Sequence, residues 1–111
     1  MSPTQRTLKW FRDLGYTCQV VEKYNAFIHI RQDLFKCIDI VAIKGEENGV
    51  LGIQCTSSAH FQDRLQKIVK IPEIRIWLSA NNRLILQTWR KNIKGRYVER
   101  QVEITLKDLV Q

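Results

Sequence analysis

The sequence predicts a single α/β domain, residues 1–111, in which helices flank a mixed β-sheet. Its 111 residues are 44% hydrophobic, which is enough for one core and no more. Apolar residues recur at helical spacing in two regions, while other regions are rich in alternating β-branched residues. The resulting order, a helix, three strands, one or two helices and two strands, is typical of an α+β or α/β sandwich.

The first predicted helix begins after Ser2, which can cap it, and Pro3 suits the first helical position. Apolar residues follow at helical spacing until Gly15 ends the helix. Residues 17–24 are predicted to form a strand, because β-branched residues alternate with polar ones. Residues 25–36 have no clear period, so both strand and helix remain open there.

Two apolar runs, residues 37–43 and 50–56, predict the clearest hairpin of the chain. The turn between them contains Asn48 and Gly49, which favour hairpin turns. Residues 58–69 then predict a helix with one apolar face. Its other face carries three side chains that can be basic, His60, Arg64 and Lys67.

The C-terminal part begins with residues 71–80, which fit either a strand or a short helix, and we favour the helix. Residues 83–90 and 97–104 predict two closing strands around a basic loop, residues 91–96. A final helical turn is expected over residues 106–109.

The predicted hairpin register places a carboxylate beside an amide. If Ile43 pairs with Val50, then Asp39 faces Gln54, and Gly52 beside them leaves room for a backbone or a substrate. Facing residues have Cβ atoms about 5 Å apart, so the two side chains could share a divalent cation, Mg²⁺ or Mn²⁺. The alternative is that Asp39 pairs with a buried arginine or caps a turn.

The net charge of +7 points to a polyanionic partner. Residues 1–55 carry seven basic and six acidic side chains, and residues 56–111 carry eleven and five. The alternative is a solvated basic face that keeps a small protein soluble. We expect no membrane span, because no apolar run approaches the roughly 20 residues needed to cross a bilayer. We expect a cytoplasmic location (the host cytoplasm for a phage-encoded protein), because the first six residues also lack the layout of a signal peptide.

Cysteine and tryptophan residues are interpreted as structural. The three cysteines, Cys18, Cys37 and Cys55, lie in apolar or alternating stretches without a CxxC pair, so we expect reduced, buried thiols and no zinc site. The three tryptophans are expected in the core, with Trp89 kept as a base-stacking candidate because Arg90 and Lys91 follow it.

The run from Arg31 to Ile43, followed by residues 51–57, resembles the PD-(D/E)xK nuclease superfamily. It is most similar to small phage and prophage proteins that are themselves similar to archaeal Holliday junction resolvases. The resemblance continues through residues 64–68, Trp77 with its neighbour, and residues 89–91, so it covers nearly the whole chain. It implies a restriction-endonuclease-like α-β-β-β-α-β core, which agrees with the order of elements above.

The resemblance implies a metal-dependent active site around Asp39, the acid of the second strand, with Gln54 and Thr56 at the outer positions of the (D/E)xK motif. Gln54 retains a carbonyl ligand without charge, and the Thr56 hydroxyl supplies no positive charge. Candidates for the missing carboxylate are Glu22 and Asp33. Candidates for the motif lysine are Lys67, Arg64 and Lys36.

The resemblance also implies DNA as the partner and a symmetric homodimer. Side chains expected to contact nucleic acid are Arg31, Lys36, His60, Arg64, Lys67, Arg90, Lys91, Lys94 and Arg96. The ordinary interpretation of Arg31 is a surface residue paired with Asp33, and that of His60 is a residue at a helix start.

The function that follows is a metal-dependent DNA endonuclease, selective for junction or branched DNA. The alternative is a catalytically inactive nucleic-acid-binding module on the same fold, because Gln54 and Thr56 depart from the motif. A third class is a protein-interaction domain whose basic face meets an acidic partner. Metal-dependent cleavage separates the first from the second, and salt-sensitive DNA binding separates both from the third.

Overall fold

The computed structural model describes residues 1–109 as a five-stranded mixed sheet with helices on both faces. The helices are Pro3–Asp13 (α1), Phe61–Ile68 (α2) and Pro72–Ser79 (α3). The strands are Thr17–Val20 (β1), Lys23–Asn25 (β2), Ile30–Gln32 (β3), Ile40–Ile43 (β4), Leu51–Ser57 (β5), Arg83–Lys91 (β6) and Tyr97–Ile104 (β7). Short 3₁₀ turns span Ser58–His60 and Leu106–Asp108.

The strand order in the sheet is β1-β4-β5-β6-β7. Only β5 and β6 are parallel, because α2 and α3 carry the chain back to the edge where β5 began. Strands β2 and β3 form a separate two-stranded ribbon inserted between β1 and β4. The predicted mixed sheet flanked by helices is confirmed, as is the helix over the ambiguous residues 71–80.

Two apolar layers hold the helices on the sheet. Helix α1 packs on one face, where its buried residues Leu8 and Phe11 join Ile40, Ile53 and Ile85 of the strands. Helices α2 and α3 pack on the other face, where the core includes Phe61, Ile68, Ile74, Leu84 and Leu86. Alternate residues of β6 therefore enter opposite layers, as the two-residue period of a strand requires.

Helix α1 is fixed at its N-terminus as the sequence predicts, since the Ser2 hydroxyl accepts a hydrogen bond from the Gln5 backbone N–H. Trp89 ties this helix to the sheet, because its indole N–H donates to the Thr7 hydroxyl at 2.9 Å. The prediction that Trp89 could stack on bases is wrong, because the side chain is buried under α1.

The strand predicted over residues 17–24 is broken near its middle. β1 ends at Val20, and the Val21 N–H donates to the Asp39 carbonyl oxygen as the chain leaves the sheet. Lys23 onward belongs to the ribbon instead, which occupies much of the stretch that the pattern leaves open. The break places Glu22 at the base of the ribbon.

The predicted hairpin register is confirmed, since Val41 pairs with Gly52 and Ile40 with Ile53. The prediction that Gly52 leaves room for a substrate is wrong. A Cβ at Gly52 would lie 2.9 Å from Ile38 Cδ1 and 3.1 Å from Trp77, so these side chains already fill the space.

Gly49 in the hairpin turn should tolerate no side chain. Its φ is +79°, and a Cβ there would overlap the backbone carbonyl oxygen of Asn81. We expect Gly49→Ala to lower the free energy of unfolding by roughly 2 kcal/mol or more. Gly45→Ala in the same turn is the control, because open space surrounds Gly45. Equal urea midpoints for the two variants would contradict this role of Gly49.

Among the described residues, no helix combines the length and apolar composition needed to cross a membrane.

Candidate metal centre and nucleic-acid surface

A polar cleft of about 470 Å³ lies at one end of the sheet. β1 and β5 end there and β4 begins there, because β4 is antiparallel to both. The N-terminus of α1 borders the same cleft. Its lining residues are Ser2, Pro3, Thr4, Glu22, Arg31, Asp33, Asp39, Gln54, Cys55, Thr56 and Arg64.

Three carboxylates converge in this cleft. One oxygen from each of Glu22, Asp33 and Asp39 lies within 4.8 Å of the others. The ribbon brings two of them together, since Lys23 pairs with Gln32 and the next facing positions are Glu22 and Asp33. The third comes from the residue that precedes β4. The two ends of the ribbon and the start of β4 thus present carboxylate oxygens to one point.

Asp39 is the buried member of the group, with only 6% of its surface exposed. Its carboxylate accepts a hydrogen bond from the Cys55 N–H at 2.9 Å, and its own N–H donates to the Ile53 carbonyl. Burial, together with the facing carboxylates of Asp33 and Glu22, raises the pKa of Asp39 to about 8, although the hydrogen bond from the Cys55 N–H acts in the opposite direction. A cation among the three carboxylates would remove this repulsion.

Gln54 supplies a second sign that the cleft holds a ligand. Its side chain is 3% exposed and lines the cleft, yet its Oε1 atom has no hydrogen-bond partner among residues 1–109. A buried carbonyl oxygen without a partner costs about 1–3 kcal/mol. An amide oxygen is also a good ligand for a hard cation, so the amide and the three acids point to the same occupant.

The distances fit a hard divalent cation. Two oxygens bound to one Mg²⁺ at about 2.1 Å lie at most about 4.2 Å apart. The carboxylate oxygens here lie within 4.8 Å of one another, so small side-chain rotations bring them to ligand distance. Glu22, Asp33 and Asp39 are thus the best candidate ligands, with Gln54 Oε1 as a neutral fourth.

No family model, curated protein or solved structure matches this chain. The chemistry of the cleft is therefore inferred from its own residues.

Two further residues of the predicted motif line the cleft. Thr56 lies one strand position beyond Cys55 and forms part of the wall. Cys55 is only half-buried, whereas the sequence predicts a buried thiol; Cys18 and Cys37 are buried, and all three are free. Burial raises the pKa of Cys55 to about 12, so the group beside Asp39 stays a neutral thiol at pH 7.

The basic side chains near the carboxylates differ in whether they line the cleft itself. Arg31 lines it and donates to Glu22 at 3.1 Å, so its partner is not the Asp33 that the sequence suggests. Arg64 also lines the cleft. Lys36 and Lys67 instead border a neighbouring depression. Among the candidates for the motif lysine, only Arg64 therefore lines the cleft itself, while Asp33 and Arg64 also line the depression that Lys36 and Lys67 border.

A basic surface extends from the cleft across the same end of the sheet. β6 is parallel to β5 and pairs Ser57 with Trp89, so Arg90 and the loop after it emerge beside the cleft. The side chains of Arg90, Lys91, Lys94 and Arg96 are exposed and make no salt bridge with any described carboxylate. His60 is exposed at the start of α2. These cations are available to phosphates.

The opposite end of the sheet is electrostatically different. Arg83 there donates to Glu47 at 2.8 Å and to Glu103 at 2.7 Å, and both contacts join separate strands or loops. Its positive charge is therefore neutralised within the fold. The end that contains the carboxylates instead carries the unpaired cations Arg90, Lys91, Lys94 and Arg96.

The sequence analysis left Asp33 only as an alternative to Glu22, whereas the structure brings both to the site. Glu22 and Asp33 lie at equal distances along the chain from the turn of the ribbon, so they face each other across its two strands. This spacing could have identified Asp33, but only if the two strands of the ribbon had been recognised first. The position of Cys55 in the cleft wall follows from the hairpin register, which placed its neighbour Gln54 beside Asp39.

The raised pKa of Asp39 predicts that stability falls as pH rises without a metal. Between about pH 4 and pH 8 the folded protein keeps a proton that the unfolded chain has lost, so the free energy of unfolding falls by up to about 1.4 kcal/mol per pH unit. A Mg²⁺ ion held by the three carboxylates would bind the ionised form of Asp39, so it should stabilise the protein more at pH 8 than at pH 5. Urea unfolding in EDTA and in Mg²⁺ measures both effects. A flat profile in EDTA, or one that matches Asp39→Asn, would contradict the buried acid.

Proposed function

We propose that this protein is a metal-dependent DNA endonuclease that hydrolyses phosphodiester bonds in the cleft. The observation that carries the proposal is the convergence of Glu22, Asp33 and Asp39 in a cleft that is also lined by Gln54, whose side-chain oxygen has no partner among the described residues. The basic surface beside the cleft suits a phosphate backbone, which favours DNA over a small neutral substrate.

The residues of the cleft divide into ligands and phosphate contacts. The three carboxylates and Gln54 would hold Mg²⁺ or Mn²⁺, which supplies Lewis acidity and a water that is nucleophilic at neutral pH. Arg31 on the ribbon would bind the phosphate backbone at the cleft. The Thr56 hydroxyl is placed to orient a water molecule.

Arg64 would take the role that the motif lysine has in the superfamily that the sequence resembles. It projects from α2 into the cleft wall, whereas Lys67 lies one turn further along the helix and borders a different depression. A guanidinium cannot lose its proton at physiological pH, so Arg64 stabilises negative charge on the phosphate and does not act as a base.

The positive end of α1 also favours a phosphate in this cleft. Ser2, Pro3 and Thr4 line the wall, and the first turn of the helix contains no acidic residue. The backbone N–H groups of a helix N-terminus attract anions. They would bind the substrate opposite the carboxylates.

The topology supports a restriction-endonuclease-like core. Without the ribbon and β7, the elements follow the order α1, β1, β4, β5, α2 with α3, and β6, which reads α-β-β-β-α-β. In this arrangement the ribbon is an insertion between the first two strands, and β7 is an addition at the sheet edge. The homodimer implied by the resemblance stays a prediction.

A nucleic-acid-binding module without catalysis is the second candidate. The observation that favours it is the neutral pair Gln54 and Thr56 at positions where the superfamily has an acid and a lysine. The additional acids Glu22 and Asp33 in the cleft favour the enzyme, since a pure DNA-binding surface gains nothing from negative charge beside phosphates.

The test is incubation of the purified protein with labelled plasmid, branched and single-stranded DNA in Mg²⁺, Mn²⁺ or EDTA. The proposal expects cleavage of at least one substrate in a metal and none in EDTA. Tight, salt-sensitive binding without cleavage in either metal would overturn the enzyme and leave the binding module. Absence of DNA binding at physiological salt would overturn both.

A further inference from the structure

The β2–β3 ribbon carries an aromatic tip that has no packing role within residues 1–109. Phe27 is 96% exposed, Tyr24 is 61% exposed and Ile28 is 53% exposed. Exposed apolar side chains that cluster on a projecting element mark a contact surface. The tip of the ribbon is thus a candidate surface for contact with a binding partner.

The tip is held in one shape. The Asn25 side-chain oxygen accepts hydrogen bonds from the backbone N–H of Phe27 at 3.0 Å and of Ile28 at 3.4 Å. The Tyr24 hydroxyl lies 3.0 Å from His29 Nδ1, which ties the two sides of the turn together. The aromatic groups are therefore ordered before any partner binds, which lowers the entropy cost of binding.

Charge identifies the class of partner. The ribbon, residues 23–32, contains Lys23 and Arg31 and no acidic side chain. A second copy of the chain would bring like charges together, since the whole chain carries +7. Lys23 makes no salt bridge with a described carboxylate, and the Arg31 side chain, although it donates to Glu22, is 73% exposed. Aromatic groups beside such cations suit nucleic acid, because bases stack on the rings while phosphates bind the cations.

The ribbon also lies in line with the carboxylates. Tyr24 pairs with Arg31, so both project from one face, and Glu22 and Asp33 are the next residues on that face towards the sheet. At about 3.3 Å per residue, Asn25 at the start of the turn is roughly 10 Å from Glu22. DNA that reaches the cleft would therefore meet the ribbon within a few nucleotides.

We propose that the ribbon is a DNA-binding finger whose tip stacks on a base displaced from the helix beside the cleaved bond. Lys23 and Arg31 hold the phosphates, while Phe27 and Tyr24 supply the stacking surfaces. The substrate class is DNA with an unpaired or easily unstacked base close to the cut. This inference rests on the proposed endonuclease function.

The test compares binding to a duplex with one unpaired 2-aminopurine and to the matched paired duplex, in EDTA so that no strand is cut. The wild-type protein should bind the unpaired site about tenfold more tightly, since stacking on an aromatic side chain contributes about that much. Phe27→Ala should reduce the preference to about twofold by this stacking argument. Ile76→Ala is the control, because Ile76 is 70% exposed on α3, away from the ribbon.

The outcomes separate this inference from the proposed function. If Phe27→Ala keeps the full tenfold preference for the unpaired duplex, the proposed DNA-binding finger is wrong. If this variant still cleaves DNA in the presence of a metal, the proposed endonuclease function stands. A wild-type dimer that Phe27→Ala converts to a monomer, with the preference unchanged, would assign the tip to self-association and also overturn it. If the wild-type protein binds neither duplex, the finger and the endonuclease both fail.

Discussion

Asp39→Asn should lower metal-dependent cleavage by a factor of about a thousand or more, because it removes the buried anionic ligand of the proposed cation. The fold should persist, since an asparagine side-chain oxygen can still accept the Cys55 N–H hydrogen bond. DNA affinity in EDTA should stay nearly equal below about pH 8, because Asp39 is then largely protonated and its replacement removes little negative charge, and above that pH it should rise. Initial rates in Mg²⁺, with DNA binding measured in EDTA, separate the two effects.

Asp63→Asn is the matched control for this variant. Asp63 is an exposed acid of α2 that does not line the cleft, so the same chemical change there should leave the rate within about twofold, as for surface substitutions generally. Equal losses in the two variants would mean that Asp39 has no special role. Loss of folding in Asp39→Asn alone, detected by circular dichroism, would instead make the residue structural.

Replacing the three cations of the β6–β7 loop by glutamine should weaken DNA binding by about 100-fold at 0.15 M salt. The three residues are Lys91, Lys94 and Arg96. The slope of log affinity against log salt should become less steep by about 3, because about one counterion is released for each neutralised phosphate. Titration of a labelled duplex at several salt concentrations gives both quantities.

A control variant with the same loss of charge tests whether position matters. Its three exposed residues are Lys9, Arg75 and Lys107, none of which is in the loop or lines the cleft. If the position of the cations in the loop matters, this variant should lose much less DNA affinity than the loop variant. Similar losses in the two triple variants would show that net charge alone attracts the DNA and would remove the basic loop from the interface.

The core of the site could be predicted from the sequence because a hairpin turn fixes register. Asn48 and Gly49 define the turn, and an antiparallel register then places every later pair, which is why Asp39 and Gln54 meet in one cleft. The helix over residues 71–80 was harder to predict, because its apolar residues fit both the period of a helix and that of a strand. Packing of Ile74 in the core decided it.

The ribbon could not be predicted, and Asp33 depends on it. The turn after the ribbon holds Phe35 and Lys36 at φ values of 50° and 70°, a conformation that neither residue type favours or signals. The tertiary fold imposes this turn, since Cys37 and Ile38, which follow it directly, are fully buried in the core. Without it, nothing in the local pattern shows that Glu22, Asp33 and Asp39 face one another.

The measurement that tests the central claim most directly is a titration of the protein with Mn²⁺, followed by electron paramagnetic resonance of the free ion. The proposed centre predicts one saturable site per chain in the wild-type protein, with affinity reduced at least tenfold in Asp33→Asn and in Asp39→Asn and unchanged in Asp63→Asn. Absence of saturable binding, or equal affinity in all four proteins, would show that the three carboxylates do not form a metal centre.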